Sequence, residues 1–451
     1  LKPDLNHRMS LLQGVDPDLL DGAVTVVKEL HNQGHEAYFA GGAVRDLILG
    51  NTVSDIDVVT SASPQQIEQL FPKTIAVGKQ FGVMVVVIDS RNYEVATFRQ
   101  ESGYTDGRHP SQVSFTDARR DVERRDFTVN AMFFNPVTEE VIDFVQGRED
   151  LERRLIRTVG SPAQRFEEDK LRVIRAVRLA SQLDFEIDEE TYREVQAHTP
   201  QLSQVSWERV RDELLKILAG PHPSNGLRLL FDSGILQVIL PEVAAMNGVE
   251  QPPQFHPEGD VFTHTCLMLG MCEGLDETLA LGILLHDVGK PPTFSVKERI
   301  RFDGHADVGA RMAETICRRL RLSAEQIDEV VDLVRDHLRF IHVQEMRDSK
   351  LKRFLRKENF QKHLELHRLD CLASHGDLSS YHFCLQKLEE IGREELRPDP
   401  LINGHDLMAM NLEPGPLFSE ILEAVEDLQL EGDLDSKEQV LDWVRENYLK
   451  T

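Results

Sequence analysis

Near its start the chain reads Gly41-Gly42-Ala43-Val44-Arg45-Asp46 and, a few residues later, Asp55-Ile56-Asp57-Val58. The apolar segment Ala37–Ala40 before the glycines predicts a strand, and Val44–Leu49 after them predicts a short helix. Paired glycines between a strand and a helix let backbone N–H groups approach a phosphate at the positive end of the helix. This stretch therefore predicts a strand–turn–helix unit that binds an anion.

The second motif places two aspartates at alternate positions at the start of a predicted strand, Ile56–Thr60. Alternate side chains of a strand point to the same face, so the carboxylates of Asp55 and Asp57 should lie together. Neighbouring carboxylates repel each other unless a cation lies between them, and oxygen ligands without His or Cys suit Mg²⁺. We predict a metal-binding pair, although two acids alone are also typical of a solvated strand end. Glu94 is either a third carboxylate or an exposed strand residue.

Hydrophobic periodicity divides the chain into a mixed α/β part and a helical part. Gly82–Asp89 and Tyr93–Phe98 alternate as the two strands of a β-hairpin do. From Leu151 to the end the pattern is helical, and the proline-rich breaks at 220–223 and 251–253 are candidate boundaries. The predicted domains are an α/β head (1–150), a helical neck (151–220), a second helical domain (221–390) and a helical tail (391–451).

Two arginine-rich motifs follow the predicted sheet. In Arg124-Arg125-Asp126-Phe127-Thr128-Val129-Asn130-Ala131, the paired arginines suit phosphates, and the Asp and Asn suit a ribose hydroxyl. Within Glu167–Arg178, we expect Asp169, Arg172 and Arg175 on one helical face. An Asp and an Arg there form a donor–acceptor pair that could bond a base edge. Each fragment alone is also typical of a salt-bridged helix.

Together these segments resemble the class II tRNA nucleotidyltransferase and poly(A) polymerase family. The matching motifs occur in the family's order at Gly41–Val58, Arg124–Ala131, Asp143–Leu151, Glu168–Arg172 and Val205–Leu214. The resemblance implies an N-terminal α/β head with a mixed, DNA polymerase β-like sheet, followed by an all-α region. It also implies transfer of nucleotides from ATP and CTP to the 3′ end of tRNA, with release of pyrophosphate.

The same resemblance implies roles for individual residues. Asp55 and Asp57 would be catalytic and bind Mg²⁺, Asp126 would read the ribose, and Asp169 with Arg172 would choose between C and A. The implied nucleotide-binding residues are Gly41, Gly42, Arg45, Asp46, Arg124, Arg125, Asp126, Asn130, Asp169, Arg172, Arg175 and Arg178.

A second set of possible ligands lies in the helical part, around the segment LLHDVGK at 284–290. Imidazole and carboxylate together suit Mn, Ni, Co, Fe or Zn ions better than Mg²⁺. The pattern resembles the HD phosphohydrolase superfamily, which implies metal ligands at His264, His286, Asp287 and Asp370. His305 and His337 are candidates for a second metal or a phosphate. The resemblance implies hydrolysis of 2′,3′-cyclic or 2′-phosphates; a buried polar cluster without turnover is the alternative.

Charge and cysteine content bear on partners and location. The net charge of −26 disfavours nonspecific RNA binding, but basic stretches at Arg148–Arg178 and Arg347–Lys362 leave room for local RNA contacts. The five cysteines form no CxxC pair, which predicts reduced thiols in a cytoplasmic protein. We see no apolar run long enough to span a membrane and no secretory signal, and expect no DNA partner.

Three kinds of function are compatible with these patterns. The first is a tRNA 3′-end nucleotidyltransferase or poly(A) polymerase; the second is an HD phosphohydrolase whose front domain is a degenerate RNA-binding relic. The third is a noncatalytic RNA-binding protein. The intact DxD, RRD and EDxxR motifs favour the first. Tyr104–Pro110 resembles the flexible loop of enzymes that switch from C to A, which disfavours CC-only addition and leaves full CCA and A-only addition open.

Overall fold

The computed structural model describes residue 12 and residues 14–104, 110–272, 274–392 and 396–449. The chain divides into two compact units, one ending at Pro241 and the other beginning at Glu242. The finer division into four domains, from sequence, stays a prediction. Among the described residues, no helix is both long and apolar enough to cross a membrane.

The N-terminal unit is built around a seven-stranded mixed sheet in the order β3-β4-β5-β2-β1-β8-β9. Its central strand β1 pairs antiparallel with β2 and β8, while β2 pairs parallel with β5. The bounds of the strands are β1 Ala37–Ala40, β2 Asp57–Thr60, β3 Thr74–Gly78, β4 Val83–Ile88, β5 Arg91–Thr97, β8 Phe133–Asn135 and β9 Glu140–Ile142. A separate ladder joins β6 (Arg99–Tyr104) to β7 (Pro110–Phe115).

Helices flank this sheet and begin where the sequence supplies capping residues. The first, α1, spans Pro17–Asn32; proline occupies its first turn, and the Asp16 carboxylate accepts a bond from Leu19 N at 2.8 Å. The other helices of this part are α2 Gly42–Leu49, α3 Pro64–Leu70, α4 Ala118–Glu123 and α5 Gly147–Glu152. The sequence-based strands and the mixed-sheet head are confirmed, with bounds shifted by one or two residues.

The remainder of the N-terminal unit is mainly helical, as predicted. Its helices are α6 Pro162–Glu168, α7 Arg172–Leu183, α8 Glu189–His198, α9 Trp207–Leu218, α10 Pro223–Asp232 and α11 Ile235–Ile239, and α12 Pro241–Ala244 straddles the unit boundary. A short parallel ladder between β10 (Leu155–Ile156) and β11 (Glu186–Ile187) was not predicted. Two-residue strands are too short to show an alternating pattern in sequence.

The C-terminal unit is helical apart from one hairpin. Its helices are α13 Val261–Gly270, α14 Glu277–Leu285, α15 Lys290–Thr293, α16 His305–Arg319, α17 Ala324–Asp336, α18 Asp348–Leu355, α19 Phe360–Ala373, α20 Ser379–Glu390, α21 Gly404–Ala409, α22 Pro416–Glu431 and α23 Lys437–Tyr448. The prediction of helix from Leu151 to the end is wrong at β12 (Phe294–Val296) and β13 (Ile300–Phe302), which form an antiparallel hairpin. The last three helices share an apolar cluster that includes Leu407, Val425 and Val444.

A glycine contact brings two parts of the C-terminal unit together. Gly289 follows the buried helix α14, and its backbone lies against the first turns of α16. A Cβ atom at Gly289 would overlap the carbonyl oxygen of His305 and lie 2.6 Å from Gly309 N. Because only glycine permits this approach, the Gly289 position controls how close His305 comes to the residues that end α14.

We therefore predict that Gly289→Ala lowers the free energy of unfolding by about 1–3 kcal/mol, the usual cost of an extra methyl group in a packed interior. Chemical denaturation would measure it. Gly415→Ala is the matched control, because a Cβ at Gly415 meets no atom within 4 Å. Equal stability of the Gly289→Ala and Gly415→Ala proteins would contradict the packing argument.

Candidate functional sites

The Gly41-Gly42 turn and the two aspartates meet at one end of the central strands. Gly41 has a φ of 72°, which glycine adopts without strain, and α2 begins directly after it. Ala40 pairs with Asp57 across β1 and β2. A Cβ at Gly41 would lie 3.9 Å from both the Asp57 carboxylate and the Arg125 guanidinium. The missing side chain thus leaves room between a carboxylate and a cation, as the predicted phosphate site requires.

The carboxylates of this region are electrostatically coupled. The pKa of Asp57 is raised to about 6, first by burial of its carboxyl group and then by the charges of Glu94 and Asp55, while Arg125 opposes the shift. Glu94 lies on β5, next to β2, so the structure brings the candidate third carboxylate to the pair. Three oxygen donors whose charges repel one another are a donor set that suits Mg²⁺. Among the described residues, the sets of three ligands within 4.8 Å of one another do not include Asp55 or Asp57.

A buried aspartate that sequence reasoning missed holds the two arginines of the RRD motif. Asp121 is fully buried; it accepts bonds from Arg124 at 2.7 and 2.9 Å, from Arg125 at 3.2 and 3.3 Å, and from Arg99 N at 3.1 Å. Burial raises the pKa of Asp121, but Arg124 and Arg125 outweigh it and hold the value below the usual range. The signal was its i,i+3 and i,i+4 spacing to the two arginines.

The other residues of the first two motifs form a continuous polar network. Arg45 makes a bidentate pair with Asp46 at 2.7 and 3.0 Å and donates to the Asn130 side chain at 2.8 Å. Arg125 reaches the Asn130 carbonyl at 3.4 Å, and Arg175 pairs with Asp126 at 2.6 Å. Residues of α2, the RRD motif and α7 therefore lie together, as the predicted nucleotide site requires.

The pairing expected between Asp169 and Arg172 is not what the structure shows. Asp169 lies before α7 with φ −141° and ψ 107°, so the prediction that it shares a helical face with Arg172 is wrong. Leu171 N donates to its Oδ1 at 3.0 Å, and its Oδ2 pairs with Arg209 of α9 at 2.7 Å. Arg172 instead pairs with Glu168 at 2.8 Å. The local turn breaks the helical spacing, and Arg209, in the Val205–Leu214 motif, is a further functional candidate that sequence reasoning missed.

The last arginine of the set, Arg178, has a structural partner. It lies two turns into α7 and pairs with Glu213 of α9 at 2.6 Å and with Gln182 at 2.8 Å. The Arg178–Glu213 pair joins α7 to α9. The Asp169–Arg209 pair joins the residues just before α7 to the same helix α9. A nucleotide contact of Arg178 stays a prediction.

The candidate HD residues lie together in the C-terminal unit as two adjacent groups. His264, His286 and Asp370 form one set of atoms within 4.8 Å, and Asp287 with His305 and His337 forms the other. The Asp287 carboxylate lies between them: Oδ2 is 3.1 Å from His286 Nε2, and Oδ1 is 3.5 and 3.8 Å from His305 and His337 Nε2. The six predicted residues are therefore one cluster, with Asp287 facing both halves.

Hydrogen bonds at the far side of each imidazole point Nε2 into this cluster. The Nδ1 atoms of His286, His305 and His337 lie 2.6–2.9 Å from backbone carbonyls three residues earlier. Each Nδ1 must carry the proton, so each Nε2 presents a lone pair. His305 and His337 Nε2 are only 3.2 Å apart, and burial lowers the pKa of His337 to about 4 although Asp287 opposes the shift. Two lone pairs this close need a cation between them, which fits a metal centre.

Unpartnered buried atoms support the same conclusion. His264 Nε2, His286 Nε2 and Asp287 Oδ1 are buried without a hydrogen-bond partner. Unsatisfied buried polar groups are costly, and metal ions held by the two groups of ligands would satisfy these atoms. The cluster thus has the donors and the free lone pairs of a metal site.

Two neighbours of this cluster were missed by sequence reasoning. The Glu258 carboxylate lies 2.7 Å from His264 Nδ1 and 2.9 Å from His256 Nδ1. Lys290 is buried and donates to Asp287 at 2.6 Å and to Gln251 at 2.6 Å. A carboxylate behind a ligating imidazole fixes its orientation and its tautomer, so Glu258 is suited to position His264. Glu258 gave no signal because it belongs to a loop without periodicity.

The basic stretches noted in sequence are occupied by internal ion pairs. Arg353 and Arg356 both bind Glu426 at 2.6 Å, and Lys357 and Lys362 bind acids of neighbouring helices. In the other stretch, arginines 153, 154, 157, 165, 172, 175 and 178 each have a carboxylate partner. These cations are therefore paired with local and distant acids of the same chain, and RNA contacts by the two stretches stay a prediction. All five cysteines are free thiols, as predicted.

Comparison with known proteins places three family domains along the chain. The poly(A) polymerase head domain matches residues 37–157, and the HD domain matches residues 261–366. Between them, residues 184–247 match a segment described as a probable RNA and SrmB-binding site of polymerase A. Residues 37–157 are therefore similar to the head domain of poly(A) polymerases, and residues 261–366 are similar to HD domains. The head contains the carboxylate and arginine residues described above, and the HD domain contains most of the imidazole cluster.

Curated relatives carry the name CCA-adding enzyme. The chain is 45% identical over 224 residues to that of Geobacillus kaustophilus, covering 49% of this chain and 55% of the relative. It is 40% identical over 243 residues to that of Lactobacillus johnsonii, covering 54% and 60%. The chain thus spans somewhat more than half of the curated relatives' length in these matches.

Solved structures of similar fold extend over almost the entire chain. The CCA-adding enzyme of Bacillus stearothermophilus in complex with CTP is 27% identical, with a TM-score of 0.72, covering 96% of this chain and 98% of that one. The Thermotoga maritima CCA-adding enzyme with tRNA has a TM-score of 0.60 at 21% identity, and shows the shared fold.

The Asp169–Arg209 ion pair generates a prediction about base preference. Arg209→Ala should free the Asp169 carboxylate to rotate and lower the preference for ATP and CTP over GTP and UTP by roughly tenfold, within the 1–3 kcal/mol range of bidentate base contacts. Equilibrium binding of the four nucleotides would measure it, and Arg209→Lys should recover part of the preference. Arg193→Ala, which removes an exposed pair with Glu189, is the control. An unchanged preference in Arg209→Ala would exclude this role.

Proposed function

We propose that this protein adds nucleotides from ATP and CTP to the 3′ end of tRNA, releasing pyrophosphate, either as a CCA-adding or as an A-adding enzyme. The observation that carries the proposal is the space at Gly41, bordered by the Asp57 carboxylate on one side and the Arg125 guanidinium on the other. A triphosphate held by cations beside acidic metal ligands is the arrangement that nucleotidyl transfer requires.

The acidic side of the site is suited to hold Mg²⁺. Asp55, Asp57 and Glu94 would be its protein ligands; burial of the carboxyl group raises the pKa of Asp57, and the charges of Glu94 and Asp55 raise it further. Bound Mg²⁺ would lower the pKa of the RNA 3′-hydroxyl and stabilise charge on the triphosphate. Asp57 begins β2, and Glu94 lies on the adjacent strand β5. The pairing of these two strands therefore holds the acids at one end of the central strands.

The basic side of the site is suited to hold the nucleotide. Arg124 and Arg125 are oriented by Asp121, and paired guanidinium groups bind phosphate oxygens in a fixed fork. Asp126 accepts a bond from Phe127 N at 2.9 Å while Arg175 holds its other oxygen, so a ribose hydroxyl would meet an oriented carboxylate. Asp169 and Arg172 lie at the start of α7, where we propose that they select the base.

The relatives named CCA-adding enzyme support the tRNA substrate over poly(A) synthesis. The segment that resembles the flexible loop of enzymes that switch from C to A addition is Tyr104–Pro110. Residues 105–109 of this segment lie outside the described residues. Full CCA and A-only addition are therefore distinguished by assay, with tRNA ending before CCA, after C and after CC. Five free thiols are compatible with a cytoplasmic location, which we also propose.

The carboxylate pair generates the decisive prediction for this activity. Asp55→Ala or Asp57→Ala should abolish nucleotide incorporation and leave the melting temperature nearly unchanged, because Asp55 precedes β2 and Asp57 is its first residue, so neither side chain belongs to the hydrophobic core. Incorporation of labelled ATP and CTP on the three tRNA substrates would measure it. Near-normal incorporation by either variant would remove these residues from the mechanism. Asp21→Ala, at an exposed position of α1, is the control.

We propose a second activity, metal-dependent hydrolysis of 2′,3′-cyclic or 2′-phosphate esters by the HD cluster. The supporting observation is the facing pair of Nε2 lone pairs of His305 and His337, 3.2 Å apart. The mixed nitrogen and oxygen donors favour Mn, Ni, Co, Fe or Zn. A bound ion would supply water of lowered pKa. The chain itself orients the imidazoles through backbone carbonyls, and Lys290 places a cation beside Asp287, where phosphate oxygens would gather.

The cluster predicts a clean separation of the two activities. His286→Ala should abolish hydrolysis of 2′,3′-cyclic AMP and spare nucleotide addition, since the two centres use different residues. Glu258→Gln should weaken metal binding by roughly 10–100-fold, the usual effect of losing a carboxylate behind a ligating imidazole. Calorimetric titration with Mn²⁺ and Ni²⁺ would measure binding independently of turnover, with the exposed Glu298→Gln as control.

Two results would contradict the proposed phosphohydrolase activity of the HD cluster. Metal-loaded wild-type protein that hydrolyses neither 2′,3′-cyclic AMP nor bis(p-nitrophenyl) phosphate would exclude the phosphohydrolase activity. Full hydrolysis by His286→Ala would show that another site is responsible.

A further inference from the structure

The hairpin of β12 and β13 lies between two of the metal-ligand motifs and has an exposed apolar face. Phe294 pairs with Phe302 and Val296 with Ile300, and directly opposite residues of a ladder lie on the same face. Phe294 is 42% and Val296 is 65% exposed. An aromatic ring and a branched side chain thus stand open to solvent on one side of a short, well-defined hairpin.

The apolar face leads directly to the metal cluster. The Phe294 and Phe302 rings are 5.9 Å apart, and the Phe302 ring is 6.3 Å from the His305 ring and 5.4 Å from Lys290 Nζ. His305 Nδ1 also lies 2.9 Å from the Phe302 carbonyl, and Lys290 binds Asp287. Phe302 therefore forms the inner end of the face, at the cluster, and Phe294 forms its outer end.

The charge of the hairpin is opposite to that of the chain. Between Phe294 and Phe302 there are three cations, Lys297, Arg299 and Arg301, and one acid, Glu298, in a chain of net charge −26. Lys297 and Arg299 are exposed at the turn. An aromatic surface flanked by exposed cations is the arrangement with which proteins stack nucleic-acid bases and hold their phosphates.

We propose that this hairpin binds the nucleoside of the phosphate ester that reaches the HD cluster, with the base stacked on Phe294 and neighbouring phosphates held by Lys297 and Arg299. The inference rests on the proposed phosphohydrolase function and adds to it the surface that binds the nucleoside, whether the nucleotide is free or at the end of an RNA. The continuity of the face with Lys290 and His305 favours this occupant over a second copy of the chain.

Equilibrium binding tests the proposal without turnover. The Mn²⁺-loaded full chain would be titrated with adenosine 2′-monophosphate and, separately, with inorganic phosphate. Phe294→Ala should weaken nucleotide binding about fivefold or more, the effect of losing one stacked base, and leave phosphate binding unchanged. Phe294→Trp should retain nucleotide binding, because it preserves the aromatic surface. Phe115→Ala, at a ring of 51% exposure in the other unit, is the type-matched control.

Three outcomes would overturn the proposal. Nucleotide binding by Phe294→Ala equal to wild type would exclude stacking, and equal loss of nucleotide and phosphate binding would indicate damage to the cluster. A change of sedimentation coefficient in Phe294→Ala, without a change in nucleotide affinity, would assign the face to a second copy of the chain.

Turnover separates this inference from the function on which it rests. With 2′,3′-cyclic AMP, Phe294→Ala should raise KM about fivefold or more, while its kinetics with glycerol 2-phosphate, which carries no aromatic ring, stay unchanged. Wild-type binding through Phe294 without any hydrolysis would retain the nucleotide site and reject the phosphohydrolase. Hydrolysis of 2′,3′-cyclic AMP by Phe294→Ala with an unchanged KM would retain the phosphohydrolase activity and reject the nucleotide site at the hairpin. A short RNA ending in a 2′,3′-cyclic phosphate should show the same loss, and a loss confined to it would identify an RNA end as the ligand.

Discussion

The nucleotide side of the N-terminal unit depends on one buried carboxylate, that of Asp121. It receives both guanidinium groups of Arg124 and Arg125 and the backbone N–H of Arg99. Removing one member of such a buried pair typically costs about 3–5 kcal/mol, because the remaining charge stays desolvated. The carboxylate therefore keeps two cations side by side against their mutual repulsion, and one of them, Arg125, lies near Asp57.

In the C-terminal unit, neutral backbone carbonyls hold mutually repelling groups together. Its imidazoles are held with lone pairs facing one another because backbone carbonyls of α14, α17 and the β13 end accept the Nδ1 protons. The close backbone approach at Gly289 brings His305 against the end of α14. In both units, hydrogen bonds to groups behind the site orient the side chains that face the ligand. Without these bonds, the like-charged guanidinium groups and the facing imidazole lone pairs would repel each other.

The cations of the two basic stretches are likewise held by acids of the same chain. Many cations of the two basic stretches are paired with acids of the chain, some of them distant in sequence, such as Glu426 for Arg353 and Glu213 for Arg178. The net charge of −26 therefore says little about where a polyanion would bind. The exposed Lys297 and Arg299 of the β12–β13 hairpin are local cations on which the proposed nucleotide contact depends.

Several features followed from sequence because they are local. The strands at Ala37–Ala40 and Asp57–Thr60 and the turn at Gly41 depend on periodicity and on backbone freedom, which neighbouring residues alone specify. The HD residues were also found from sequence, because His and Asp next to an apolar helix are chemically unusual. What sequence alone could not supply was the partner of each side chain.

Sequence by itself thus determined the mixed-sheet head and the helical remainder, and it pointed to the candidate ligands. Only the tertiary structure decided that Asp169 pairs with Arg209 rather than sharing a helical face with Arg172, and that Asp287 faces both halves of the imidazole cluster. It also decided that Glu258 stands behind His264 and that the β12–β13 hairpin extends from the cluster. The physical reason is that side-chain pairing depends on distances between segments far apart in the chain, whereas periodicity and capping depend on residues within a few positions of one another.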